Sequence, residues 1–385
     1  MQAKASFSSK RFLLALMLCA CAIILLQNHN VASEASFTSQ LLSIAAGLAG
    51  CFALFLPAVY LKTRESRDIV GLLTERAPKL RIPLSALYAC YFVYTAMYFL
   101  LPYTEMFHTK YFPEVSPCLI TVLLLLCCVY AARKGVNVIS RFGVFLFAFA
   151  VVTDLLMLGG SISELDISHC TLALSGGIGA FFQNVVCFLT PAFIIPIFAF
   201  LSDGTRNFRL RQPVLALVFT GVKYAAVIFT ICFALGAYAR RQGFPTFLLS
   251  RVAHFSSFAG IESFYQALTT MSVFMILSLL LCSITRNAAP RCRGKAIWLF
   301  AGVILAADVV ATYYYSVKEI FTYTPFFVGW TAVMAAVIPL IGIIVRRKSN
   351  ATGFEHSINS IDPAADGLQH LAADRDSRDN RECER

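Results

Sequence analysis

Residues 176–201 read GGIGAFFQNVVCFLTPAFIIPIFAFL. From Gly179 to Leu201 the stretch is apolar and long enough to cross a bilayer as a helix, which takes about 20 residues. A helix satisfies its own backbone hydrogen bonds, which hydrocarbon cannot do for it. Inside the span stand Gln183-Asn184, Thr190-Pro191 and Pro196. The prolines remove two backbone donors from the middle of the helix. Freed carbonyls need partners, so such a span is either a simple kink or an interrupted helix lining a cavity.

The rest of the chain repeats the theme. Of its 385 residues 58% are hydrophobic and 14% charged, with a mean hydropathy of +0.71; a soluble domain carries about 25% charged residues. Working outward from the sixth span, apolar stretches fall at Phe12 to Gln27, Ser39 to Leu61, Leu84 to Phe107, Pro117 to Ala132 and Ile139 to Gly159 before it, and at Pro213 to Tyr238, Glu262 to Ile284, Ala296 to Tyr315 and Pro325 to Val345 after it. The expected fold is all-α and integral to the membrane, with about ten transmembrane helices. The first and fourth spans are the shortest.

Loop charge tests that count independently, because Lys and Arg are retained on the cytoplasmic side. Lys4, Lys10 and Arg11 precede the first span; Lys62, Arg64, Arg67, Arg76, Lys79 and Arg81 lie between the second and third. Arg133 and Lys134 follow the fourth, Arg206, Arg209 and Arg211 the sixth, Arg286, Arg291, Arg293 and Lys295 the eighth, and Arg346, Arg347 and Lys348 the tenth. The intervening loops are poor in basic residues: 28–38 has none, the next has only Lys110, and 160–178 has Glu164, Asp166 and His169 but no Lys or Arg. The alternation puts both termini in the cytoplasm. Residues 239–261 break it with Arg240, Arg241 and Arg251. The net charge of +11 is split among loops, which fits topology and anionic lipid and not a nucleic-acid partner. Residues 1–348 form the polytopic membrane domain; the polar tail 349–385, dense in Asp, Arg and Glu, is expected to be disordered and cytoplasmic.

The N-terminus also fits a signal peptide, with Val31-Ala32-Ser33 as a cleavage region, and Leu18-Cys19-Ala20-Cys21 faintly resembles a lipoprotein cleavage box. Most of the 13 cysteines fall inside spans, where the thiol packs as a small apolar group. Cys118 and Cys170 near the outer face leave a disulfide open. No pair has zinc-ligand spacing, and no phosphate loop or nucleophile elbow is present, so no metal or cofactor is expected.

Ionisable groups inside a membrane are costly and mark function or a buried pair. Asp308 sits mid-span in the ninth stretch, Lys223 mid-span in the seventh, and Asp154 in the outer half of the fifth. Lys223 is expected to pair with Asp308 or Asp154, as a structural bridge or as part of a proton or substrate relay. A membrane-embedded transferase would need clustered His or paired acids at one face; His169 and His254 are isolated, and Glu164 and Asp166 have no evident partners. A structural membrane subunit without a ligand also fits the sequence.

Several segments carry a family likeness in their order and spacing. They are Leu41 to Tyr103, with its basic loop and the run Tyr88-Ala89-Cys90-Tyr91-Phe92-Val93-Tyr94; Phe112-Pro113-Glu114-Val115-Ser116-Pro117; Gly135 to Arg141, of the form G-x-x-x-I-x-R; and Phe244-Pro245 with Arg251 and Glu262. Over residues 10 to 345 the chain resembles the spore germination permeases, the B subunits of germinant receptors, within the amino acid–polyamine–organocation superfamily. The resemblance implies a LeuT-like inverted-repeat bundle. It implies a small nutrient germinant, an amino acid by expectation, bound near the midplane, and partner subunits of the receptor that read the bound state. It implies no enzyme; a proton-coupled amino-acid permease is the alternative. The expected pocket lies between the first, third, sixth and eighth spans, with Tyr94, Tyr98, Asn184 and Thr190 as liners and Asp308, Lys223 and Asp154 as proton or ion-pair groups. Tyr94 and Tyr98, four apart, share one helical face, which also suits plain aromatic packing. The chain departs from the superfamily pattern in its first span, which has no glycine or proline where a break is usual, and it shows no acid on the sixth.

Overall fold

The computed structural model describes residues 7–26, 36–64, 78–166, 168, 177–202, 205–206, 208, 211–254, 261–287, 292–314 and 324–344. Ten helices among them are long and apolar enough to span a membrane. In chain order they are α1 (Ser9–Leu26), α2 (Phe37–Arg64), α3 (Arg81–Lys110), α4 (Pro117–Lys134), α5 (Val136–Gly160), the sixth span as α6 (Gly177–Leu189) and α7 (Ile194–Leu201), then α8 (Arg211–Leu235), α10 (Ile261–Ile284), α11 (Arg293–Tyr314) and α12 (Thr324–Ala332). A short helix, α9 (Pro245–Val252), lies between α8 and α10. The first and fourth spans, shortest by sequence, are full 18-residue helices, about 27 Å long. The chain divides into two compact units, Met1–Pro339 and Leu340–Arg385; of the second, residues 340–344 are described and the tail is not.

Burial sorts the helices. Within their most apolar windows α1 is 83% buried, the sixth span 78% and α10 72%, against 28% for α5 and 22% for α11. The first three form the centre; α5 and α11 turn most of their surface outward, which in a bilayer means toward lipid. Helix α1 packs on α5, α8 and α10, and α2 packs on α6 and α8.

Local chemistry sets the elements. Helix α4 opens with Pro117 in its first turn, where a missing N–H costs nothing, and closes on basic residues that suit the negative end of its dipole. Gly135 then takes φ 90°, open to glycine at little cost, and starts α5 at once. The G-x-x-x-I-x-R stretch is thus a tight joint between two antiparallel spans. Close approach elsewhere needs small residues. A Cβ on Gly143 of α5 would stand 2.9 Å from the Cβ of Ala15 on α1, and one on Gly47 of α2 would stand 2.5 Å from the Cβ of Phe188 on α6.

The sixth span is interrupted. Its helix stops at Leu189, tightens into a 3-10 turn over Thr190–Phe193, and resumes at Ile194, so the Thr190-Pro191 pair ends the first half. The tenth span widens into a π-turn at Val333–Val337. Helix α1 is continuous, as its lack of glycine and proline foretells. Strand β1 (Phe7–Ser8), directly before α1, pairs in parallel with β2 (Thr205–Arg206), beyond α7.

Candidate functional site

The 3-10 turn of the sixth span packs against α1, α2 and α12. Thr190 is fully buried there, and among the described residues its hydroxyl has no hydrogen-bond partner. An unmet buried hydroxyl costs about 1–3 kcal/mol. Two carbonyls near the interruption are met: the Cys51 thiol of α2 lies 3.7 Å from the Phe188 oxygen and 3.6 Å from that of Leu189. The Phe193 ring lies 4.6 Å from Phe99 of α3. Below it Phe198 meets Phe55 of α2 at 5.0 Å, and Phe200 meets Tyr88 of α3 at 4.5 Å. Asn184 is buried on α6, one turn before Phe188, whereas Gln183 beside it is exposed.

Tyr94 and Tyr98 do share a face, and it is turned to α12. The Tyr98 ring stacks on Phe327 at 4.0 Å and its hydroxyl bonds the Thr324 hydroxyl at 2.9 Å. Tyr94 stacks on Trp330 at 5.3 Å. Tyr91 continues the series, with its hydroxyl 3.0 Å from that of Thr331. The tenth helix therefore joins the first, third and sixth around the interruption.

The ionisable groups fall into two separate places. Lys223 of α8 bridges to Asp154 of α5 at 3.0 Å, with the lysine side chain 6% and the aspartate 22% exposed. Cys21 of α1 lies within electrostatic reach of both. Of the two partners open to Lys223 by sequence, the structure selects Asp154. Asp308 lies instead between α11 and α4, where the Thr121 hydroxyl donates to its Oδ2 at 2.6 Å. Its Oδ1 is buried without a partner among the described residues. Threonine hydroxyls leave little mark on a hydropathy pattern, which is why Thr121 escapes a reading by sequence.

Of two further polar groupings, the sequence had marked only Arg251 and Glu262 of the second. Ser36, just before α2, and Ser39, Gln40 and Ser43 on it are all buried, the last three at the spacing of a helix face; Ser43 reaches the Phe181 oxygen of α6 at 3.5 Å and Gln40 meets Cys232 of α8 at 3.9 Å. At the end of the bundle away from the N-terminus, Arg251 of α9 pairs with Glu262 of α10 at 3.2 Å and sits 5.8 Å over the Phe247 ring. Tyr111 packs on Phe247 at 5.2 Å and its hydroxyl faces the Glu262 carbonyl at 3.5 Å. Burial, then the Glu262 carboxylate, pushes the Tyr111 phenol well above its ordinary range. Arg251, one of three basic residues in the loop that breaks the charge pattern, is thus matched by an acid. Cys118 is a free thiol, and Cys170 lies outside the described residues, as does residues 31–33 of the possible cleavage region. Among the described residues no group of His, Cys, Asp and Glu could hold a metal.

Comparison with known proteins gives the family. No curated protein sequence matches the chain. In fold it is similar to three solved transporters: Mhp1, a nucleobase-cation-symport-1 family transporter in a closed conformation with bromovinylhydantoin bound (15% identity, TM-score 0.62, covering 90% of this chain and 82% of that one); MhsT in complex with L-phenylalanine (14%, 0.60, 86% and 89%); and a Na+-coupled sialic acid symporter in a substrate-bound outward-open state (14%, 0.59, 88% and 79%). These likenesses show a LeuT-type transporter fold. The pattern that describes spore germination proteins matches residues 4–290, and this integral membrane protein therefore belongs to the spore germination protein family, which is not a family of enzymes.

Proposed function

We propose that the protein is a germinant-receptor subunit built as a permease, which binds a small nutrient at the interruption of the sixth span and signals the bound state to partner subunits. The observation that carries this reading is the buried, unpartnered hydroxyl of Thr190 at the one interruption among the central helices. A polar group held there at a cost is accounted for by a ligand that meets it. Thr190 and Asn184 supply hydrogen bonds, and Phe99 and Phe193, with the Tyr94–Tyr98 face of α3 beyond them, supply the apolar wall. An amino acid is the ligand the family suggests, and the L-phenylalanine bound to MhsT supports that class. The membrane is the bacterial cytoplasmic or inner spore membrane, with the termini on the cytoplasmic side as the basic loops indicate and the 349–385 tail extending from that side.

The mechanism is a population shift. A nutrient changes the bundle only so far as it binds one arrangement better than another. The half-helix α7, joined to α6 through the 3-10 turn, is the element whose tilt the ligand biases.

A second reading, a proton-coupled amino-acid transporter, is favoured by Asp308, whose buried Oδ1 has no partner. One experiment separates the two. Protein in liposomes takes up a panel of labelled amino acids, and a pore-former then empties the lumen. Saturable label that survives the pore supports the receptor. Label lost through the pore supports transport, and an Asp308→Asn variant then loses its pH dependence if that carboxyl carries the proton.

A further inference from the structure

Helix α1, like α10, is a central helix that does not break. It has neither glycine nor proline, the residues at which helices bend sharply, and it is nearly all buried. At its C-terminal end three hydroxyls from three elements donate to its carbonyls. Tyr224 of α8 donates to Ala20 at 2.7 Å, Thr246 of α9 to Ile24 at 3.2 Å, and Tyr265 of α10 to Leu25. Ile24 and Leu25 lie in the last turn, where carbonyls lack partners within the helix. The short helix α9 is in turn latched by Arg251 to Glu262 on α10, and the His254 amide beyond it donates to the Gly160 carbonyl that ends α5. At the N-terminal end the chain passes without a loop from β1 into α1. There β1 pairs with β2, and Ser9 donates to Gln212 of α8 at 2.8 Å.

A hinge-free helix tied at both ends cannot absorb a displacement in its middle. We propose that α1 is a rigid strut that couples the α9 cap at one face of the bundle to the β1–β2 pair at the other, so that movement of the cap is reported on the N-terminal face. Strand β2 begins four positions beyond the end of α7, the movable half of the sixth span. The coupling stands without any nutrient; its use as a signal path rests on the receptor reading.

The test needs no ligand. Ser8→Cys and Arg206→Cys, whose backbones pair in the strand register, are oxidised in proteoliposomes, and the linked peptide is followed by mass spectrometry. Adding Tyr265→Phe and Thr246→Val removes two hydroxyls at the far end. The linking rate is expected to change about fivefold or more, the lower end of what two hydrogen bonds are worth. Adding Leu16→Gly and Met17→Gly in mid-helix is expected to return the rate toward the parent value. A rate untouched by the far-end changes, in protein that elutes as a folded monodisperse peak, overturns the strut. So does a glycine variant that transmits as well as the parent; if that variant does not fold, the far-end pair decides alone. Failure of the receptor reading would appear as absent nutrient binding and would leave these linking rates unchanged.

Discussion

Lys223 and Asp154 form a bridge whose two ends differ in exposure, and that difference sets what each is worth. Removing the lysine leaves a carboxylate with some access to solvent; removing the aspartate strands an ammonium that is nearly all buried. Breaking a buried pair costs about 3–5 kcal/mol, and the partial exposure of Asp154 lowers the toll of losing its partner. Asp154→Asn is therefore expected to lower thermal stability in detergent more than Lys223→Met, and the double variant is expected to recover most of the loss. Asp308 behaves differently because its partner is a hydroxyl. Asp308→Asn keeps an oxygen for Thr121 and should leave stability nearly unchanged, whereas Thr121→Val strips the carboxyl of its one hydrogen bond among the described contacts and should cost about 1–3 kcal/mol. The sequence marked all three ionisable residues, since charge inside an apolar span is conspicuous. It left the pairing open, because partners on different helices are set by helix rotation and hydropathy says nothing about rotation.

At the scale of elements, the joints between helices rest on missing side chains. Gly47→Val is expected to force α2 off the sixth span, since even its Cβ would stand 2.9 Å from the Phe188 carbonyl carbon; overpacking of this kind costs about 1–3 kcal/mol. Gly302→Ala on α11 is the control. It meets nothing within 4 Å, and a helical Gly→Ala change should stabilise by about 0.5–1 kcal/mol. Melting of the two variants by size-exclusion chromatography after heating checks the contrast. The ten spans were legible in sequence, because bilayer thickness acts locally; at Thr190-Pro191 proline's missing donor marked the place but left a kink and an interruption both open, and the joint at Gly135 was marked only by a family likeness. The continuity of α1 was legible too, in its lack of breakers. The 3-10 form of the sixth-span turn and the π-turn of the tenth were not, since neither has a local signature that outweighs packing.

At the scale of the whole molecule, a LeuT-type bundle whose central helices α1 and α10 are continuous and whose sixth span is interrupted has its movable half-span in the sixth. That suits a protein whose output is a change of shape. The surroundings of the interruption were legible only halfway: Thr190 stands out beside Pro191, and Asn184 as an amide in an apolar run. The face of α3 bearing Tyr94 and Tyr98 was legible as a face, yet its meeting with Phe327 and Trp330 of α12 joins residues more than 200 positions apart and needed the fold. The central claim is that a nutrient meets the Thr190 hydroxyl, and equilibrium binding of labelled amino acids to purified wild-type, Thr190→Ser and Thr190→Val protein tests it most directly. The account predicts saturable binding that the serine variant keeps and the valine variant weakens about tenfold, the value of one hydrogen bond, in protein at least as stable as wild type. Binding indifferent to valine, or none to folded protein across the panel, would contradict it.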